Sequence, residues 1–184
     1  VCFTKGGYGA PASADTLETI HALGVKRLIV AGLCGVFGKD TKVGDVILPS
    51  KILSEEGTSY HYTENAEYAF PETGLHQKAV QHFRGNFNVR TDATVSTDAV
   101  YRQTLAKEAL WREKGCIGVD MESSALLTIS RLYGIPAVSI LLASDKHPMS
   151  ETDSGWAWGS HDFEKKREEF VEQVVSFALE FLPL

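Results

Sequence analysis

Val119-Asp120-Met121-Glu122-Ser123-Ser124-Ala125-Leu126 is the stretch on which the fold turns. It follows Gly115-Cys116-Ile117-Gly118, and residues 115–119 read as a short strand. From Met121 on, Ala125, Leu126, Ile129 and Leu132 recur at helical spacing, and Gly134 supplies the stop. Residues 137–143, Ala-Val-Ser-Ile-Leu-Leu-Ala, then form the most strand-like segment in the chain, closed by Ser144-Asp145. Strand, helix and strand in that order are the unit of an α/β domain. The reading puts Glu122 and Asp145 at the carboxyl ends of two strands taken as adjacent. In open α/β sheets that edge binds ligands. A carboxylate there needs partners, because burying one unpaired costs on the order of several kcal/mol.

The pattern extends outward from this unit. Residues 1–4 read as a strand and 5–9 as a glycine-rich turn. Pro11 opens a helix that runs to about residue 23, with Leu17, Ile20 and Leu23 on one face and Gly24 as its stop. Residues 27–31 are a buried strand ending in Gly32-Leu33-Cys34-Gly35, and 43–49 are another strand closed by Pro49. Residues 54–71 read as a long polar and aromatic loop. A helix over 74–83, an extended stretch over 87–95 and a helix from Ser96 towards Lys114 follow. The chain closes with a loop holding Trp156 and Trp158, then an amphipathic helix over 161–182 that turns Phe163, Phe170, Val174, Phe177 and Phe181 inward. The order β-α-β-β-α-β-α-β-α-β-α predicts one α/β domain over residues 1–184. The chain opens inside an apparent strand without an initiator Met, so an upstream segment is expected.

Composition narrows the functional classes. The chain has 184 residues, 43% hydrophobic and 23% charged, enough for one domain with a real core. The net charge of -6 and pI of about 5.5 argue against a nucleic-acid partner. No apolar run reaches the roughly 18–20 residues of a membrane span. Three cysteines, Cys2, Cys34 and Cys116, lie in or beside apolar runs and imply reduced, buried thiols and a cytoplasmic setting. The six histidines lack metal-ligand spacing, so no metal is expected.

Two carboxylates at a sheet edge carry the chemistry. One can accept hydrogen bonds from vicinal hydroxyls. A second, desolvated enough to hold a proton, can give it to a leaving group. The bland alternative makes Glu122 a helix-starting acid and Asp145 a turn residue. Cys34 after a strand invites comparison with a nucleophile elbow served by His61 or His147, but that elbow needs a helix directly afterwards and residues 36–40 read as a loop. Arg102 is balanced between contacting a base carbonyl and lying on the surface. Lys165, Lys166 and Arg167 read as the solvated face of the last helix. The Trp156–Trp158 loop follows Asp145 closely enough to cover the site.

Taken in order, the motifs resemble the nucleoside phosphorylase and nucleosidase superfamily. They are Gly7-Tyr8-Gly9-Ala10-Pro11, Gly32-Leu33-Cys34-Gly35, Lys42-Val43-Gly44-Asp45-Val46, Glu56-Gly57-Thr58-Ser59-Tyr60-His61, Ser96-Thr97-Asp98, Val119-Asp120-Met121-Glu122 and Ala143-Ser144-Asp145. The resemblance implies a three-layer α/β/α sandwich around a mixed, largely parallel sheet. It implies cleavage of the N-glycosidic bond of a nucleoside, a purine nucleoside favoured and uridine possible. Glu122 would hold the ribose hydroxyls, Met121 would pack on the sugar and Asp145 would assist the departing base. Asp120, Ser96, Gly35, Cys34 and Arg102 would complete the substrate side. Phosphate is implied as co-substrate, with no cofactor, and a homo-oligomer, dimer or hexamer. The phosphorylases' loop arginine and hydroxyl residue fall here on Val30 and Leu33, neither of which can hold phosphate. A nest of backbone N–H groups over residues 32–35 is the remaining anion site. Hydrolysis by water, or binding without catalysis, are the alternatives.

Overall fold

The computed structural model describes residues 1–153, 157–158 and 161–181. Its elements are α1 (Ala10–Ala22), β1 (Leu28–Val36), β2 (Val46–Ile47), β3 (Ile52–Glu55), β4 (Tyr68–Ala69), α2 (Thr73–Phe83), β5 (Val89–Arg90), β6 (Ala93–Thr97), α3 (Leu105–Glu113), β7 (Cys116–Asp120), α4 (Ser123–Leu132), β8 (Ala137–Lys146), β9 (Ala157–Trp158) and α5 (His161–Phe181). The strands form one sheet in the order β4-β3-β6-β7-β1-β8-β2-β5, with β9 added to β8. The sheet is mixed. β1–β8, β2–β5, β3–β6 and β6–β7 are parallel; β1–β7, β2–β8, β3–β4 and β8–β9 are antiparallel.

Alternation along the strands assigns the layers. On β8, Val138, Ile140 and Leu142 join Phe83 of α2 and Phe170 and Phe177 of α5 in the largest core cluster. Val95 of β6 and Val119 of β7 pack with Trp111 of α3. Their neighbours Ser96 and Asp120 turn to the other face and meet the start of α4. α1 lies on α4 through Ala14, Leu17 and Ile129. The α/β/α sandwich therefore stands, as does the inward set of aromatic residues on the last helix.

Several sequence expectations are corrected. Residues 1–4 form no strand: Val1 and Phe3 are each 60% exposed. A strand needs a paired edge, and a groove of about 460 Å³ stands between residues 2–4 and the flank of β1. Residues 54–71 are not all loop, because β3 runs to Glu55 and β4 pairs back onto it. Ser96 lies inside β6 rather than opening a helix, and α3 starts only at Leu105, where the Thr104 hydroxyl accepts from Lys107 N–H. β7 and β8 are not neighbours. β1 lies between them, parallel to β8 and antiparallel to β7.

Candidate active site

Gly35 of β1 is the reference point. Its Cα partners are Val119 on one side and Asp145 on the other. Strands lie about 4.8 Å apart, so the two flanking backbones are held roughly 10 Å apart. Because β7 runs against β8, their last residues approach Gly35 from opposite directions. The Glu122 and Asp145 segments thus meet across β1 rather than side by side.

Glu122 occupies the position before α4, with φ -134° and ψ -34°. Its Oε1 accepts from Gly9 N–H at 2.7 Å and its Oε2 from Met121 N–H at 3.3 Å. Gly9 precedes α1 with φ 83°, a conformation a side chain would strain, and this turn aims its N–H at the carboxylate. A carboxylate offers about four lone-pair sites, so two stay available for hydroxyl donors. Burial raises the Glu122 pKa, the Gly9 N–H opposes this, and the Asp120 charge adds to the rise. Met121 is half-buried beside it.

Asp120 and Ser96 turn inward. Ser96 Oγ donates to Asp120 Oδ1 and accepts from Ser124 N–H at 3.0 Å, while Asp120 Oδ2 accepts from Ser123 N–H at 2.9 Å. Both side chains are buried. These bonds satisfy the first amides of α4 and fix the bend that presents Glu122. Burial raises the Asp120 pKa against those hydrogen bonds.

Asp145 is re-aimed by a bulge. Cys34 pairs with Ala143 and Gly35 with Asp145, which leaves Ser144 as the extra residue. Ser144 Oγ lies 3.2 Å from the Cys34 carbonyl and 2.6 Å from Asp145 Oδ1. Asp145 Oδ2 lies 3.0 Å from His147 Nε2, and His147 Nδ1 lies 2.6 Å from Glu108 Oε1 on α3. All three groups are buried.

The remaining candidates separate. Cys34 is buried among Val36, Ile47, Ile117 and Leu141, and β1 continues through it, so no nucleophile elbow exists. Burial pushes its thiol pKa well up, reinforced by Asp120, Asp145 and Asp45, which keeps it protonated. The anion nest over residues 32–35 is also absent, because those residues are laddered to β8. Val30 is half-buried in β1 and Leu33 is 46% exposed. Arg102 is exposed on a short turn after β6. Lys166 and Arg167 pair with Glu169 and Glu164 on their own helix. The expected tryptophan cover falls at Trp156 and the Trp158 side chain, outside the described residues. Glu108 escaped the sequence reading, Gly9 entered it only as part of a motif, and His147 entered it only as a base for Cys34, not as a partner of Asp145. The i,i+2 spacing of Asp145 and His147 was the signal for the last.

Gly35 is required by this packing. A Cβ there would fall on His147 Nε2 and within 3.2 Å of Asp145 Oδ2. The ring is buried and held at both nitrogens, so it cannot swing aside. Gly35→Ala is expected to cost about 1–3 kcal/mol in denaturant unfolding. Unchanged stability would contradict this geometry.

An α/β sandwich that presents Glu122 and Asp145 from β7 and β8, the two strands flanking β1, is the class of fold in which small-molecule enzymes are found. The chain belongs to the phosphorylase superfamily, whose sequence model matches residues 1–182. It is 29% identical over 177 residues to a DeoD-type purine nucleoside phosphorylase of Clostridium novyi, covering 95% of this chain and 72% of that protein. It is 26% identical over 181 residues to a guanosine phosphorylase of Halorubrum lacusprofundi, covering 97% and 73%. A DeoD-type purine nucleoside phosphorylase of Bacillus cereus is 30% identical over 154 residues, 76% of this chain and 60% of that protein. In fold, the chain is similar to the Toxoplasma gondii purine nucleoside phosphorylase solved with immucillin-H (TM-score 0.81, 21% identity, 93% of this chain and 70% of that one). It is also similar to the uridine phosphorylase of Vibrio fischeri (TM-score 0.72, 23% identity, 94% and 69%).

Proposed function

We propose that this protein cleaves the N-glycosidic bond of a purine nucleoside, transferring the ribosyl group to phosphate and releasing free base and ribose 1-phosphate. The observation that carries the reading is the pair of carboxylates presented from the two strands beside β1, Glu122 just past β7 and Asp145 on β8, each held by fixed hydrogen-bond partners. Glu122 accepts from the ribose hydroxyls and fixes the ring as it becomes oxocarbenium-like. Met121 packs against the sugar. Asp145 returns a proton to the base as the C–N bond breaks, which is worth about 10²–10⁴ in rate. The relatives named as purine nucleoside and guanosine phosphorylases support the purine leaving group and the phosphate acceptor. The reading includes a soluble homo-oligomer without a cofactor; among the described residues no helix is long and apolar enough to cross a membrane.

The test is release of free base from a purine riboside, with and without phosphate, using the full-length protein. Release that requires phosphate supports the proposal. Equal release without it assigns the acceptor to water, the reading that Val30 and Leu33 favour. Saturable binding without turnover would reject catalysis altogether.

A further inference from the structure

We propose that Glu108 and His147 form a relay behind Asp145 that positions a proton for the departing base. The inference rests on the nucleoside-cleaving function proposed above. Its ground is a count of protons. His147 touches one carboxylate at each ring nitrogen, at 2.6 Å and 3.0 Å. A neutral imidazole carries one N–H, and an ionised carboxylate only accepts. Both contacts are hydrogen bonds only if the ring is an imidazolium or one carboxyl is protonated. The imidazolium state and the Asp145-acid state differ by the transfer of one proton between Nε2 and Oδ2.

The surroundings confine the mobile proton to the His147–Asp145 contact. From α3, Arg112 stands one helical turn beyond Glu108, with Nη1 3.8 Å from Oε2. Glu108 in turn holds the proton on Nδ1, leaving the mobile one between Nε2 and Asp145. β1 lies against His147 through Gly35 and through the Val36 carbonyl, which accepts from the His147 backbone N–H at 2.9 Å, and the following loop contributes the Phe37 ring, 6.1 Å from the imidazole. Lys146 donates instead to the Gly38 carbonyl and to Thr41 Oγ1. Burial lowers the His147 pKa, but the hydrogen bonds to Asp145 and Glu108 outweigh it, and the net shift is upward.

The step balances as follows. A proton leaves Nε2 for Oδ2, giving a neutral imidazole and a carboxylic acid. As the glycosidic electron pair moves onto the base, the acid protonates a base nitrogen and becomes carboxylate again. The phosphate oxygen bonds to C1′ as the C1′–N bond breaks, and the proton that phosphate sheds on forming the ester returns through solvent to restore the imidazolium before the next turnover. His147 thus acts through Asp145 as a positioning residue.

The experiment compares an ordinary purine riboside with an N7-methylated one, whose base departs without a proton. His147→Asn is expected to slow the ordinary substrate by about 10–10²-fold and the methylated one far less. Glu108→Gln keeps the shape and withdraws a charge that favours the imidazolium. Its alkaline activity limb is expected at lower pH than in the wild type, as is the imidazole titration of His147 followed by NMR. Equal slowing of both substrates by His147→Asn, or an unmoved titration in Glu108→Gln, would overturn the relay while leaving the cleavage function standing. A wild type that cleaves neither substrate would reject the function itself, and the relay with it.

Discussion

Glu122→Ala is expected to lower kcat/KM for a purine riboside by about 10³-fold or more, with the fold retained. The loss follows from geometry. Glu122 is held from two backbone amides, so its free lone pairs point in a fixed direction. Removing it releases the sugar from that register, and the rate enhancement from orientation is lost. Stability should change little. The lost bond to Gly9 N–H is worth about 1 kcal/mol, and removing a half-buried carboxylate whose charged form is disfavoured by burial offsets part of it. Glu122→Gln separates charge from shape, because the amide oxygen still accepts from Gly9 while the amide nitrogen meets a hydroxyl as a donor. Steady-state kinetics beside a thermal melt reads both effects. Near-normal turnover in Glu122→Ala would remove the ribose assignment.

Asp145→Asn is the second large effect, expected at about 10²–10⁴-fold in kcat, equivalent to roughly 3–5 kcal/mol of barrier. The amide can still meet Ser144 Oγ and His147, so the bulge should survive. What it cannot do is hold and release a proton at the base. The deficit should therefore fall on kcat more than on KM for a purine substrate. A variant with raised KM and unchanged kcat would show that Asp145 only binds.

Much of this site was legible in the chain, for identifiable reasons. Glu122 and Asp145 each follow an apolar run, and such runs are read directly from composition. α5 was legible because Phe163, Phe170, Val174, Phe177 and Phe181 repeat at helical spacing, and all five join the same core. Strand order was not, because no local period records which strand sits beside which. β1 between β7 and β8 is invisible to any window of sequence. Ser96-Thr97-Asp98 misled because small polar residues that start helices also suit a buried strand end where a carboxylate such as Asp120 accepts from them. Glu108 was hidden in a helix of charged residues, 39 positions from the histidine it meets.

The placement of β1 has a consequence for how the molecule comes into being. Its ladder joins Leu28 to Ala137 and Gly35 to Val119, across most of the chain. Non-local pairing of this kind slows folding, because the loop must close before any contact rewards it. A ribosome-bound chain that stops short of β8 holds Glu122 and Gly35 but nothing to set them against Asp145. Ligand affinity should therefore arise in a single late step, when β8 docks along β1, and refolding followed by ligand capture should lag behind the gain of helical signal.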